Sequence, residues 1–480
     1  MFRPAFCVAG FLLCALGILM LLAGAVDTAH DGNDDFAFYF SGIITLFIGA
    51  CLALVNRFKD ERLSIRQGFL VTSLSWLLIA FFASLPFLLC ELELSYSDSL
   101  FEATSGLTTT GATIITDLSQ ASYGVLIWRS LLQWLGGIGI IVTALAVLPM
   151  LNVGGMQLFR TESSDTSEKI LPRSAQFAGV LTGFYGSFTL LCALGYWLAG
   201  MSAFDAIAHA MTTVATGGFS TSDMSIGYWQ NPAIDSVAIL FMILGALPFI
   251  LYIRLLGGDV RALARDTQLR WFFALLGSII AIMWAHLYFS SETEPARALQ
   301  FAAFSVTSVM TGTGYANTNY GIWSHFATGM FFFLMFVGGC AGSTACGMKI
   351  FRLTVICKSI MLQARRILYP HLAVTLLYNG RPIQEGVVAS VMHFFFFYLL
   401  LFVGVACVLS LMGIAPITAL SASASAIANV GPGLGSEIGP AGNFAFLPDT
   451  AKWLLAALML IGRLEIFTIL VLLTPTFWRQ

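Results

Sequence analysis

The sequence predicts an all-α integral membrane protein of about ten transmembrane helices, with an N-terminal helix pair followed by four pseudo-symmetric helix–pore loop–helix repeats around one central pore. Three observations carry this prediction. Of 480 residues, 58% are hydrophobic and only 10% are charged, against roughly 25% charged in an average soluble domain, so most of the surface must face lipid. Apolar stretches near or above the roughly 20 residues that cross a hydrocarbon core as a helix recur along the chain, as in Ala5 to Val26, Phe36 to Val55 and Ala451 to Leu473. Finally, a short semi-polar segment ending in a glycine-bearing loop returns four times between apolar spans.

The helix pair occupies residues 1–60. Phe6 to Val26 has the length of a signal peptide, but an acidic loop (Asp27, Asp31, Asp34, Asp35) and a second apolar span follow without a cleavage site, so it reads as a retained helix. The repeats then run over 61–165, 166–265, 266–380 and 381–480. Their semi-polar segments are SDSLFEATSGLTTTGATI, FDAIAHAMTTVATGGFSTSD, ARALQFAAFSVTSVMTGTGYANT and ITALSASASAIANVGPGLGSEIG. The helix in each is only about a dozen residues, too short to span and too polar to face lipid, so it dips into the membrane and returns. Non-helical backbone at that depth is tolerated only inside protein or beside a water-filled path, hence a shared central pore.

Basic residues set the orientation. Arg57, Lys59, Arg62 and Arg66, then Arg160, Lys169 and Arg173, then Arg254, Arg261, Arg265 and Arg270, and finally Lys349 through Arg381 cluster in connecting segments. By the positive-inside rule these are cytoplasmic, and both termini belong on the same side. Asp27 to Asp35, Glu91, Glu93, Asp98 and Glu292 fall on the opposite side. The nine cysteines, an odd number without paired spacing, read as buried small hydrophobes.

The loops read TTGAT, ATGGF, MTGTG and NVGPG, and aligning them superposes Gly111, Gly217, Gly312 and Gly431. Glycine suits a strand whose carbonyls must converge on an ion, because the required dihedrals strain a residue with a Cβ. Rings of backbone carbonyls replace the hydration shell of a monovalent cation. The candidate filter is therefore Thr110 and Gly111, Thr216 and Gly217, Thr311 and Gly312, Val430 and Gly431, with potassium as the ion they would hold. A single such glycine would be ordinary helix packing; four at one register in four similar units are not.

Two further features suggest a gate. Gly338 to Gly347 holds Gly338, Gly339, Gly342 and Gly347 plus Ser343 and Thr344, poor material for a straight helix, so the third unit's second helix should break there. The alternative is a small-residue packing face. Arg463 lies near the middle of the final apolar span, where a charge on a lipid-facing helix costs about 2.5 to 3.5 kcal/mol, so it must point inward. Glu465, two residues on, cannot face it on a helix. His209, His286, His325 and His393 are given no role.

SGLTTTGATI, TTVATGGFST, VMTGTGYANT and NVGPGLG resemble the Trk-type potassium transporter superfamily over essentially the whole chain. The extra initial helix pair is similar to the TrkH membrane subunits rather than to KtrB. The resemblance implies that the loop glycines are the filter and that the Gly338–Gly347 stretch is an intramembrane gating loop, with an arginine at the position of Arg463. It also implies potassium uptake across a bacterial inner membrane, a homodimer, and regulation by a cytoplasmic nucleotide-binding subunit of the TrkA type, which the basic segment from Lys349 to Arg381 would dock. Gly111 is intact, which by resemblance favours potassium over sodium. No covalently bound cofactor, nucleic-acid partner or enzymatic activity is expected: the chain has no HExxH, no nucleophile elbow and no paired intramembrane aspartates. A sodium or unselective cation pore and a broken-helix solute transporter are the competing readings.

Overall fold

The computed structural model describes residues 2–57, 64–142, 174–290, 294–371 and 375–479. Lys59, Arg62, Arg160, Lys169, Arg173 and Glu292, and the repeat boundaries at 60/61 and 165/166, lie outside the described residues.

Arg3–Ala29 and Asp35–Val55 form the N-terminal pair. Glycines seven residues apart on each helix bring the two backbones together. A Cβ on Gly10 would sit 2.7 Å from the Gly49 carbonyl oxygen, and one on Gly17 would sit 2.8 Å from that of Gly42. Packing of this kind lets helices associate without a hydrophobic driving force between them. The carboxylate of Asp27 then joins the pair to the first unit, accepting from the Gly124 amide at 2.7 Å and from Asp34 at 2.9 Å.

Each unit has an outer helix, a short pore helix and an inner helix. The pore helices are Tyr96–Leu107, Ala203–Val214, Pro295–Met310 and Pro416–Ala428. Their starts are written locally. Ser95 and Ser202 cap the first two by accepting from the amides of Asp98 and Asp205, whose acidic side chains suit a helix N-terminus, and a proline occupies the first turn of the other two. Small residues let these helices bury in the centre of the molecule: Thr418 through Ala428 is covered almost throughout. The outer helices Ile65–Ala83, Ser174–Leu198, Thr267–Ser290 and Glu385–Leu411 surround them.

Among the described residues, seven helices are long and apolar enough to cross a membrane, and two bent helix pairs raise that to nine. The interrupted inner helix of the third unit brings the tally to the expected ten. There, His325–Met335 ends, the chain runs without helix through Phe336 to Lys349, and Ile350–Leu368 follows. The basic segment beyond it carries a two-stranded hairpin, Leu377–Tyr378 with Arg381–Pro382, the one sheet among the described residues.

The sequence predicts a single inner-helix break, in the third unit, and a continuous last span. The structure has two more breaks. Pro232–Ala246 turns through 89° into Phe249–Leu256, and Asp449–Arg463 turns through 108° into Ile466–Leu473. Pro248 explains the first, since it has no N–H to continue the helix and pushes Leu247 into extended backbone. At the second, Glu465 takes φ 66°. Arg463 is therefore the last residue of a helix, at the bend in the middle of the final span.

Candidate functional site

The four loops leave their pore helices in the same way, and the hydrogen bonds define a common register. The amides of Thr110, Gly217, Thr313 and Val430 donate to carbonyls five residues back, those of Ser105, Thr212, Ser308 and Ser425, at 2.9, 2.8, 2.9 and 3.0 Å. The residue before each has a left-handed backbone: Thr109 (φ 52°), Thr216 (50°), Gly312 (72°) and Asn429 (53°). The residue after each is a glycine, also at positive φ: Gly111 (85°), Gly218 (80°), Gly314 (81°) and Gly431 (101°).

This register corrects the sequence alignment in two loops. Gly111 and Gly431 stay matched, with Thr110 and Val430 before them. Gly217 matches Thr110, whereas Gly218 is the partner of Gly111; Thr216 and Gly312 match Thr109, and Gly314 is the third-loop partner. Thr311 is the pore-helix cap, equivalent to Thr108. A side-chain repetition supports this: Thr108 and Thr110 share a hydroxyl hydrogen bond of 2.7 Å, as Thr311 and Thr313 do at 2.8 Å. ATGGF and MTGTG each contain two glycines, and the end of the preceding helix, not the motif, decides which one is matched.

The four glycines form a closed ring of contacts. A Cβ on Gly111 would collide with the carbonyl oxygen of Gly217, one on Gly218 with that of Thr313, one on Gly314 with that of Val430, and one on Gly431 with that of Thr110. Each loop thus presses the carbonyl of its central residue against the glycine of the loop before it, and the fourth returns to the first. Glycine is required twice at these positions, for positive φ and for room. Gly111, Gly218, Gly314 and Gly431 jointly line a cavity with Asp223 and Asn443, on the side away from the pore-helix ends.

On the opposite side lies the non-helical segment of the third unit. The Thr344 hydroxyl accepts from Thr216 Oγ1 at 3.2 Å and donates to the Gly245 carbonyl at 2.9 Å. Cys346 Sγ lies 3.7 Å from Thr109 Oγ1. Backbone bonds fasten the segment to the second unit, from Cys340 N to Ala246 O (3.0 Å), Thr344 N to Gly245 O (3.1 Å) and Phe249 N to Gly342 O (2.9 Å). Gln268 Oε1 accepts from Ala341 N at 2.8 Å. Gly338 is packed against Cys346 and Gly347, and Gly339 against Ala345 and Ala246, so these glycines allow the segment to fold on itself. Gly342 and Gly347 have positive φ. Ser343 donates to Cys340 O at 2.6 Å.

Arg463 is buried against this segment. Its guanidinium donates to Thr344 O at 3.0 Å, to Gly136 O on the first inner helix at 2.8 Å, and to Cys346 Sγ. It does not pair with Glu465. That carboxylate binds Arg352 at 2.5 Å, and the Arg352 guanidinium also lies 3.7 Å over the Phe394 ring.

Several residues near the loops were not singled out from sequence. Glu102, on the first pore helix, is fully buried and accepts from Arg129 Nε at 2.8 Å, from Thr113 Oγ1 at 3.0 Å and from Ile114 N at 3.0 Å. Arg129 continues to Ser220 O at 2.8 Å and covers the Phe219 ring at 4.1 Å. One turn further along the first inner helix (Tyr123–Val142), Gln133 reaches Gly217 and Phe219. Asn429 donates to Thr110 Oγ1 at 2.8 Å, joining the fourth loop to the first. Charges at membrane depth are a signal in their own right, and Glu102 and Arg129 met that criterion as Arg463 did. His209, given no role, is buried between Asp205 O (2.8 Å) and Ser220 Oγ (2.9 Å) as a packing residue.

A protein-family model described as TrkH, cation transport protein, matches residues 35–479. The Trk system potassium uptake protein TrkI of Halomonas elongata is 46% identical over 479 residues, covering 99% of this chain and 97% of the relative. The Trk system potassium uptake protein TrkH of Escherichia coli K12 is 36% identical, with both chains covered completely. The crystal structure of the potassium transporter TrkH from Vibrio parahaemolyticus superposes with a TM-score of 0.92 at 36% identity, again over the whole of both chains.

Proposed function

Since the chain belongs to the TrkH family of cation transport proteins, we propose that it carries potassium through the central pore, with the four loop centres and their glycines as its selectivity filter. The chain is a multi-pass membrane protein of a transporter family, not an enzyme. The observation that carries the reading is the closed ring in which Gly111, Gly218, Gly314 and Gly431 each abut the carbonyl of the next loop. A ring of backbone oxygens from four loops supplies the donors that replace water around a potassium ion. The pore helices end at the ring and turn the negative ends of their dipoles towards it. The filter residues in this register are Thr110 and Gly111, Gly217 and Gly218, Thr313 and Gly314, Val430 and Gly431, with Thr109, Thr216, Gly312 and Asn429 at the inner end.

The segment Gly338 to Gly347 acts as the gate. It touches the inner ends of the first and second loops through Cys346 and Thr344, and Arg463 holds it while placing a positive charge beside the pathway. Transport across a bacterial inner membrane, both termini in the cytoplasm, a homodimer and a TrkA-like nucleotide-binding subunit docked on the basic segment from Lys349 to Arg381 complete the proposal. Relatives named as Trk system potassium uptake proteins support it. Rubidium flux into proteoliposomes, competed by potassium and not by sodium, tests it; flux of neither ion, or equal competition by both, defeats it.

A further inference from the structure

We infer that Gln133 is a positioning residue of the filter: it replaces, from the neighbouring unit, the side chain that the second loop lacks, and by holding the Gly217 carbonyl it sets discrimination among monovalent cations. The inference rests on the filter reading above.

Three of the four ring positions carry a side chain. Thr110 is tied to Thr108 at 2.7 Å and to Asn429 at 2.8 Å, Thr313 is tied to Thr311 at 2.8 Å, and Val430 is buried. The second loop has Ala215 at the cap position and Gly217 in the ring, so it has neither hydroxyl. The space is not empty. A Cβ on Gly217 would run into the amide group of Gln133, which arrives fully buried from the first inner helix.

The amide bridges two backbone groups. Its Nε2 donates to Gly217 O at 2.7 Å and its Oε1 accepts from Phe219 N at 3.0 Å. A carbonyl can only accept and an N–H can only donate, so these partners fix which way the amide points. Of the ring carbonyls of Thr110, Gly217, Thr313 and Val430, only that of Gly217 accepts a hydrogen bond among the described residues. It is also the oxygen that abuts Gly111. One oxygen in the ring is thus held from behind with part of its acceptor capacity used, while the others are free to follow the ion. A tethered oxygen resists the inward movement that a smaller cation would need for close coordination, so the tether favours the larger ion.

Gly217 has no positive φ, and the nearest obstruction to a side chain there is the end of the Gln133 side chain. This allows a reciprocal test by ion flux in proteoliposomes, with potassium and sodium competition as the readout. Gln133→Met keeps the volume and removes both hydrogen bonds; it should retain flux and lose about tenfold in potassium-over-sodium discrimination. Gly217→Thr alone should abolish flux by colliding with Gln133. Gln133→Ala with Gly217→Thr, which restores a ring threonine, should recover discrimination to within about twofold of wild type. Wild-type discrimination in Gln133→Met, or a double variant no better than Gly217→Thr alone, overturns the inference. Gly111→Ser distinguishes the two levels. If it alters discrimination while Gln133→Met does not, only the role of Gln133 falls; if neither alters it, the filter reading falls as well.

Discussion

Arg463 Nη1 donates to the carbonyl oxygen of Thr344 at 3.0 Å, and the Thr344 hydroxyl accepts from Thr216 Oγ1 at 3.2 Å. One residue of the non-helical segment therefore joins a buried cation to the inner end of a pore loop. The same guanidinium reaches Gly136 on the first inner helix, so the segment is fastened between the first, second and fourth units.

Loss of that fastening should favour the open pathway. A hydrogen bond from a charged group contributes about 1.5 to 3 kcal/mol, so Arg463→Gln should raise basal rubidium influx by about tenfold or more. Proteoliposome uptake without any soluble partner measures this. Influx and gating equal to wild type would remove Arg463 from control of the pathway.

The register predicts which glycines are equivalent. Gly111→Ser, Gly218→Ser and Gly314→Ser should each disturb selectivity, since all three glycines combine positive φ with a carbonyl at the Cβ position. Thr311→Val should instead cost stability, about 1 kcal/mol for the lost capping hydroxyl, and leave discrimination near wild type. Competition assays on the four variants decide between this register and one centred on Gly217 and Gly312.

Glu102 and Arg129 form an ion pair whose side chains are 0% and 2% exposed. Removing one partner of such a pair leaves an uncompensated charge and costs about 3 to 5 kcal/mol. Glu102→Leu or Arg129→Met should therefore lower the thermal midpoint in detergent sharply. The double substitution should be milder than the worse single one, because no lone charge remains. A double variant that is as unstable as the sum of the singles would show that the pair is not the relevant unit.

The glycine-packed N-terminal pair should matter for folding and not for ion choice. Gly49→Ile would collide with Gly10 and Cys14 of the facing helix and push the two helices apart, reducing stability by about 1 to 3 kcal/mol through overpacking. Potassium-over-sodium discrimination should be unchanged in whatever fraction folds. A change in discrimination would tie the pair to the pore.

Much of the architecture was legible because membrane folding obeys local rules. Apolar length marks the spans, and Ser95, Ser202, Pro295 and Pro416 mark the starts of the pore helices. The bend after Ala246 had a signal in Pro248. The bend after Arg463 had none of that kind, since Leu464 and Glu465 are not helix breakers by type; a carboxylate held by Arg352, 113 residues away in sequence, accompanies the turn.

The sequence alone determined that this is a polytopic helical protein of four glycine-loop units with a buried arginine near its end, because lipid forces apolar length, internal backbone bonding and inward charges into a pattern visible in one dimension. The tertiary structure decided which glycine of each pair faces the next loop's carbonyl, and that Gln133 fills the place of a side chain missing from another unit. Both depend on where a helix stops and on what approaches from a distant segment. Spacing along the chain carries neither distance.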